Sequence, residues 1–475
     1  MKSIIHLCSS ILVFLFTTSC KENLSQEKPV EKNLDKTIEN WLSKTGIPSV
    51  SMVLFKSGKI LKAKAYGYSN LKAKTPASSS TIYNTGSNFK PVTATAIMQL
   101  AEKKLIDIDK PINHYLRQPI EYFDESHPIT ARQLMSHQSG IPTSITINKV
   151  WERKPNRTLQ EIASSIKPSE IPDKKHIYSN DGYVLLGLLI EEVTGLPYEE
   201  YIWKNILSPL GIDTYGFLKP TPEMVENLAL PYHIRYNQAY PTHQLHLEQY
   251  PAGDIFLKPT DMAKFLMMHL NRGKVSDKRI LSKESVHKMH QPNLEVEKNF
   301  YYGLGFGIDQ INGKKYAYHQ GSLPGYLSVF LIDFETKSGV YIASNVSSSP
   351  MQDKQINLLL KYLFDYVKNK EVKTNLEVPV DKNKALSLPN DVILGNYVGK
   401  YKISGAPVYL KIEQIGKQLF LVNPTKERFR LEYFTSNKFF ITTENEDIEF
   451  KENNGKIVGL KLFTGGNEID AKKEY

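Results

Sequence analysis

Strand-like segments stand at both ends of the first 365 residues, with helix-like segments between them. Any sheet this chain builds must therefore join pieces far apart in sequence. Val50 to Phe55, the Ser57-Gly58 turn and Ile60 to Tyr68 read as a hairpin. Tyr326 to Asp333 and Gly339 to Ser344 read as two strands around a polar Glu335-Thr336-Lys337-Ser338 turn. In the middle the apolar period changes to that of a helix. Lys90 to Leu105 places Ile97, Leu100 and Ala101 on one face, and Thr130 to His137 is capped by Thr130 and stopped by Gly140 and Pro142. Gly182 to Val193 aligns Tyr183, Leu186, Leu189 and Ile190, and helices follow over Asp261 to Asn271 and Gln355 to Val367. This order predicts an α+β domain over residues 36–367.

Residues 368–388 are charged, contain Pro379 and lack periodicity, which predicts a linker. Beyond it, residues 389–475 alternate in short runs: Tyr397 to Ile403, Val408 to Gln414, Leu419 to Val422, Arg428 to Tyr433, Phe439 to Thr442 and Ile457 to Phe463. These predict a small all-β accessory domain, a sandwich or a barrel. The whole chain of 475 residues is 41% hydrophobic and 23% charged, the proportions of a soluble globular protein with two or three domains. Its net charge of +10 is spread among acids with no basic block, so a mixed solvated surface is expected and a nucleic-acid partner is not.

Lys2 precedes an apolar run from Ile4 to Phe16, too short to remain as a membrane span and of the length of a secretory signal. Thr17-Thr18-Ser19-Cys20 follows, and the stretch resembles a bacterial lipoprotein signal. That resemblance implies a signal peptide over residues 1–19, lipid modification of Cys20 and a tether over 20–35. The protein would then be exported and anchored to a bacterial membrane, facing the periplasm or the cell surface. There are 2 cysteines, and Cys8 would leave with the signal. The mature chain could not form an internal disulfide, and lipidation explains its lone thiol.

The sequence has no G-x-S-x-G elbow, Walker A loop, H-E-x-x-H pair or paired C-x-x-C. His243 with His246, and His287 with His290, lack a third ligand at a telling spacing, so no metal is expected. Ser87-Asn88-Phe89-Lys90 is different. At a helix start, three residues bring the Lys90 amine to the face of the Ser87 hydroxyl, and free backbone N–H groups point at any oxyanion formed there. A desolvated amine helps to remove the serine proton. The same Ser-x-x-Lys spacing also occurs at Ser25, Ser69, Ser164 and Ser285, so spacing alone selects nothing.

The setting selects Ser87. Tyr83-Asn84-Thr85-Gly86 leads in, Tyr178-Ser179-Asn180 stands before a helix, and His319-Gln320-Gly321-Ser322 opens a strand. Leu134 to Gly140, Pro251-Ala252-Gly253 and Tyr302 to Phe306 complete the order. Roughly residues 36 to 365 resemble the class C β-lactamase family and its relatives, the serine D-alanyl-D-alanine peptidases and β-lactamase-like esterases. The resemblance implies Ser87 as nucleophile, with Lys90 and Tyr178 sharing the proton traffic and Tyr178 acting as base and then acid. It implies Asn180 orienting the substrate or Lys90, an oxyanion hole from the N–H groups of Ser87 and Ser322, and Gly321 within the third motif. His319 would contact a substrate carboxylate or the tyrosine hydroxyl. His137 is expected to brace the core. No cofactor is implied. The substrate would be a small molecule or peptide, peptidoglycan-derived peptides included, and the oligomeric state is left open. The implied activity is a D-amino-acid peptidase, carboxypeptidase or esterase. The alternatives are a non-catalytic penicillin- or peptidoglycan-binding lipoprotein, a glycan-binding lipoprotein built on the β domain, and a true β-lactamase. Many β-lactamases carry Lys where His319 stands, and a neutral imidazole grips a carboxylate less strongly, which favours peptides or esters over penicillins.

Overall fold

The computed structural model describes residues 29–144, 147–149, 157–218, 220–235, 237–311, 313–368, 376–379, 392–424, 426–435, 437–443, 446–464 and 467–474. Cys20 and the expected signal peptide lie outside the described residues. The segment 20–35 corrects one expectation. A helix α1 spans Pro29–Thr45 and so begins inside the stretch read as a tether. Its buried face is Leu34, Ile38 and Trp41, at intervals of four and three residues, and the intervening charges hide that stripe from a reading by composition. Asp35 on the same helix accepts hydrogen bonds from Lys64 and the Tyr66 hydroxyl and pairs with Lys62.

A nine-stranded antiparallel sheet does join the distant segments. The strands are β1 (Ser49–Lys56), β2 (Lys59–Asn70), β3 (Thr75–Pro76), β4 (Leu294–Glu297), β5 (Phe300–Tyr302), β6 (Gly307–Ile311), β7 (Lys314–Leu323), β8 (Tyr326–Asp333) and β9 (Ser338–Ser344). Their order is β4-β5-β6-β7-β8-β9-β1-β2-β3, and β1 pairs with β9 in a register that sets Met52 opposite Ile342. The central strands are buried on both faces, which is why they read as nearly continuous apolar runs. Val50, Met52, Leu54, Val329 and Ile342 pack on α1 and on a closing helix, residues Pro350–Val367. Val53, Phe55, Phe330, Ile332 and Tyr341 face the helical layer on the other side.

Two helices of that layer carry the candidate site. α2 (Lys90–Glu102) is buried at every position from Lys90 to Leu100, and its Ala and Thr residues let neighbours approach closely. α3 (Asn180–Thr194) is capped by Ser179, whose Oγ accepts the Gly182 N–H at 2.8 Å, and ends at Gly195 in the left-handed conformation.

The C-terminal domain is a closed eight-stranded antiparallel barrel running from Gly399–Ile403 to Asn467–Glu474. The sequence reading found six of its strands and missed Glu446–Asn453 and Asn467–Glu474. Both are dominated by charged residues, and only Ile448, Phe450, Ile469 and Ala471 turn toward the barrel core. A barrel strand solvated on its outer face needs an apolar residue only at every second position. The barrel meets the first domain where Arg235 pairs with Asp447 and lies over Phe440, and where the Thr242 hydroxyl donates to the Thr443 carbonyl at 2.6 Å. Within the segment read as a linker, Leu376 and Val378 rest on the first domain and the Pro379 carbonyl accepts from Gln355 at 2.7 Å. The rest of that segment, apart from Lys368, lies outside the described residues.

Candidate active site

A single tight turn, residues Gly86–Phe89, presents Ser87 and runs directly into α2. Pro91 sits in the first turn of that helix, where its missing N–H costs nothing. Two polar chains fasten the turn. Buried Asp254 accepts from Asn84 Nδ2 at 2.5 Å and from the Leu247 N–H at 2.6 Å, and Asn84 Oδ1 accepts the Gly86 N–H at 2.9 Å. Burial pushes the Asp254 carboxyl up to about 7, with the two hydrogen bonds pulling the other way. Asn88 donates to Ser328 Oγ at 2.7 Å, and that hydroxyl donates to the Thr85 carbonyl at 2.6 Å.

Glycines set the close approach between this turn and β7. A Cβ on Gly321 would stand 2.0 Å from the Thr85 carbonyl oxygen, and one on Gly86, at φ +52°, would stand 2.5 Å from the Ser322 nitrogen. The His-x-Gly motif thus needs its glycine because the strand lies directly on the nucleophile turn. The same contact brings the Ser322 backbone nitrogen to the Gly86-Ser87 peptide.

Lys90 is fully buried beneath Ser87. Its Nζ lies 3.0 Å from Ser87 Oγ, 2.7 Å from Asn180 Oδ1 and 3.0 Å from the Ala252 carbonyl oxygen. The amine also stands 4.7 Å from the centroid of the Tyr178 ring. Desolvation holds it well below the ordinary lysine range. Tyr178 closes the other side, and its hydroxyl is in hydrogen-bonding reach of the Ser87 side chain. Desolvation pushes that phenol above its usual value. Thr143 holds the segment in place by donating to the Tyr178 carbonyl at 2.7 Å and accepting the Asn180 N–H at 3.1 Å.

The structure therefore gathers Ser87, Lys90, Tyr178, Asn180, Gly321 and Ser322 around one cleft of about 200 Å³. Among the described residues that line the cleft, none has an acidic or basic side chain. His319 departs from expectation. Its Nδ1 donates to the Gln320 carbonyl at 2.8 Å, so its Nε2 is left to accept from the Tyr302 hydroxyl at 2.7 Å. Both ring nitrogens are engaged, and the partner is Tyr302 rather than Tyr178. Burial takes this imidazole down to about 3 and keeps it neutral.

His137 is fully buried, its ring 4.3 Å from that of Tyr178, and its Nδ1 accepts the Ser179 N–H at 3.1 Å. It braces the tyrosine. Sequence reasoning missed Asp254, Asn84 and Tyr302 as parts of the site. Each lies inside or beside a quoted motif, and only the fold shows that they converge. Among the described residues, no group of three or more His, Cys, Asp or Glu side chains is placed to hold a metal.

The family described as Beta-lactamase matches residues 34–362, a span that contains every residue of this cleft. The chain belongs to the beta-lactamase family. Within it, "Protein flp" of Staphylococcus aureus (strain N315) is 28% identical over 326 residues, covering 67% of this chain and 64% of that protein. This chain thus spans less than two thirds of that curated relative. The octameric penicillin-binding protein homologue from Pyrococcus abyssi superposes with a TM-score of 0.61 at 25% identity, covering 93% of this chain and 100% of the other. The D-amino acid amidase from Ochrobactrum anthropi SV3 shares the fold, with a TM-score of 0.59 at 22% identity over 71% of this chain and 99% of its own.

The contact of Gly321 with Thr85 gives a sharp expectation. Gly321→Ala forces β7 off the nucleophile turn, and overpacking of this kind costs about 1–3 kcal/mol. Chemical denaturation should show that loss, and labelling of Ser87 by a fluorophosphonate should slow by at least tenfold. A variant with unchanged stability and labelling contradicts the close approach.

Proposed function

We propose that this protein is a serine hydrolase that forms an acyl-enzyme on Ser87, with an ester, amide or peptide carbonyl as the acyl donor. The observation that carries the reading is the hydrogen bonding of Lys90. A neutral amine has two N–H donors and one lone pair. As an ammonium Lys90 donates to all three oxygens; in the neutral form the carbonyl oxygens of Asn180 and Ala252, which can only accept, would take both donors and leave the lone pair for the Ser87 hydroxyl. The lowered pKa of the buried amine supports the neutral form.

We assign roles that differ from the tyrosine-base scheme expected from the motifs: desolvation disfavours both the charged amine of Lys90 and the charged phenolate of Tyr178, which supports Lys90 as the base and Tyr178 as the acid. Ser87 Oγ attacks the carbonyl carbon as its proton passes to Lys90 Nζ. The oxyanion is met by the N–H groups of Ser87 and Ser322. The bond to the leaving group breaks as Tyr178 donates its proton to that group, and the Lys90 ammonium returns a proton to the tyrosinate. Water then enters by the same route and releases the acyl group.

His319 decides the substrate end. With both nitrogens engaged and the ring neutral, it offers no N–H and no charge to a substrate carboxylate, and the described lining of the cleft adds no cation. Substrates that are neutral beyond the scissile bond, such as esters and D-amino-acid amides, fit better than carboxypeptidase substrates or penicillins. The fold shared with a D-amino acid amidase agrees with that choice. The same reading places the enzyme on a bacterial membrane through a lipid on Cys20, supported by the apolar run that ends there. Radiolabelled palmitate entering wild type but not Cys20→Ala is the expected result, and an unlabelled soluble wild type contradicts the anchor.

Ser87→Ala should abolish adduct formation without unfolding the protein. Lys90→Ala should lower turnover by about 10²–10⁴-fold. In wild type the rate should fall as acid protonates Lys90, with a midpoint well below the ordinary lysine value because the folded pKa is depressed. Adduct formation that survives in Ser87→Ala overturns the nucleophile.

A matched substrate pair isolates His319. Turnover of a D-alanine amide or p-nitrophenyl ester should exceed that of a D-alanyl-D-alanine peptide by more than tenfold in kcat/KM. Preference for the free carboxylate would refute the His319 argument and leave the acyl-enzyme standing.

A further inference from the structure

A second cavity, of about 570 Å³, lies away from the catalytic cleft and shares no lining residue with it. It is enclosed by the end of the helix Pro259–Leu270, by the helix Lys283–Met289, by Lys315 of β7 and by the turn between β8 and β9. Its size is that of a small-molecule site, in the range of about 300–1,000 Å³.

The walls divide by chemistry. Leu270, Val286 and Phe334 supply an apolar surface. Arg272, Lys283, Lys315 and Lys337 supply four cations, against one carboxylate among the lining residues, Glu284. The acids nearest in sequence to the turn are already engaged, since Asp333 pairs with Lys368 and Glu335 with Lys314. No ion pair to the four lining cations occurs among the described residues, so their charge is left for whatever occupies the cavity. Lys315 is held in place by a 3.2 Å hydrogen bond to Gln291 Oε1, and Gln291 is in turn tied to the His287 carbonyl at 3.1 Å.

The inner wall adds two buried imidazoles with free ring nitrogens. His269 and His290 both line the cavity, and their centroids lie 5.1 Å apart. His269 Nε2 meets Thr95 Oγ1 at 3.2 Å, while its Nδ1 has no partner among the described residues. His290 donates to the Val286 carbonyl and leaves Nε2 without one. The other nitrogen of each ring donates, so both unpartnered atoms are lone-pair acceptors, and recognition of an anion falls to the lysines and Arg272. Burial above all holds the His290 imidazole well below its usual range, with His269, Lys315 and His287 adding to it.

We propose that this cavity is a second binding site, for an organic anion with an apolar body and a single carboxylate or phosphate end. The acyl or aryl body would lie on Leu270, Val286 and Phe334, and the anionic end would face Lys283 and Lys315. The site is independent of the hydrolase reading, because none of its residues touches the cleft.

The test is calorimetric titration of the full mature chain with sodium decanoate, decyl phosphate and decanol. Wild type should bind at least one of the two anions, with affinity that falls as salt is raised, and the tighter anion names the head group. The double variant Lys283→Glu/Lys315→Glu should weaken that binding by at least tenfold, and decanol should bind at least tenfold more weakly than the anion. Lys283→Gln/Lys315→Gln serves in its place if the charge reversal does not fold. Fluorophosphonate labelling of Ser87 should be unchanged in the variants, which separates this site from the catalytic one. Unaltered anion affinity in a folded double variant, equal binding of decanol, or no binding of either anion by wild type overturns the proposal.

Discussion

A lysine buried without a counter-ion organises the catalytic half of this molecule. Among the described residues no carboxylate pairs with Lys90 Nζ, and its three polar contacts are an amide oxygen, a peptide oxygen and the Ser87 hydroxyl. Burying an amine this way is expensive for the charged form and much less so for the neutral one. Between its lowered folded value and the ordinary 10.5, the unfolded chain binds one more proton than the folded chain. Lys90 therefore costs stability in that window, and the cost shrinks as pH rises through it. The fold tolerates this because α2 is buried along nearly its whole length and anchored on both sides. The cost sits beside Ser87, and functional sites commonly concentrate such costs.

The same economy governs the imidazoles around the amine. His137 and His319 are both neutral, and each has its tautomer dictated by a backbone group: the Ser179 N–H in one case and the Gln320 carbonyl in the other. A charged imidazole next to Lys90 would compete with it for the neutral state of the pocket. Fixing both rings as neutral spacers lets them shape the cleft without setting its charge.

Much of this was legible in the sequence, for reasons that differ by element. The sheet strands announced themselves because both faces are covered, and α3 did so through Ser179 at one end and Gly195 at the other. The motif residues Ser87, Lys90, Tyr178 and Asn180 were visible by order and setting, and the cleft assembles them. Less was legible where an environment, not a residue type, does the work. Helix α1 was masked by its charges, and two barrel strands were masked by their solvated faces. The engagement of His319 with Tyr302 is invisible to spacing, because it depends on β5 and β7 lying on either side of β6. The desolvation of the Lys90 amine is likewise not written in a motif.

The pairing of β1 with β9 has a consequence for how the chain is made. The first strand of the domain has one neighbour close at hand, β2, and the other does not exist until Ser344 has been synthesised. Until then a strand as apolar as Ser49–Lys56 keeps an open edge, the kind of surface that recruits other chains. Nascent chains and fragments that stop short of β9 share that exposure. The domain is therefore a late folder with high contact order, dependent on staying unpaired until its last strand arrives.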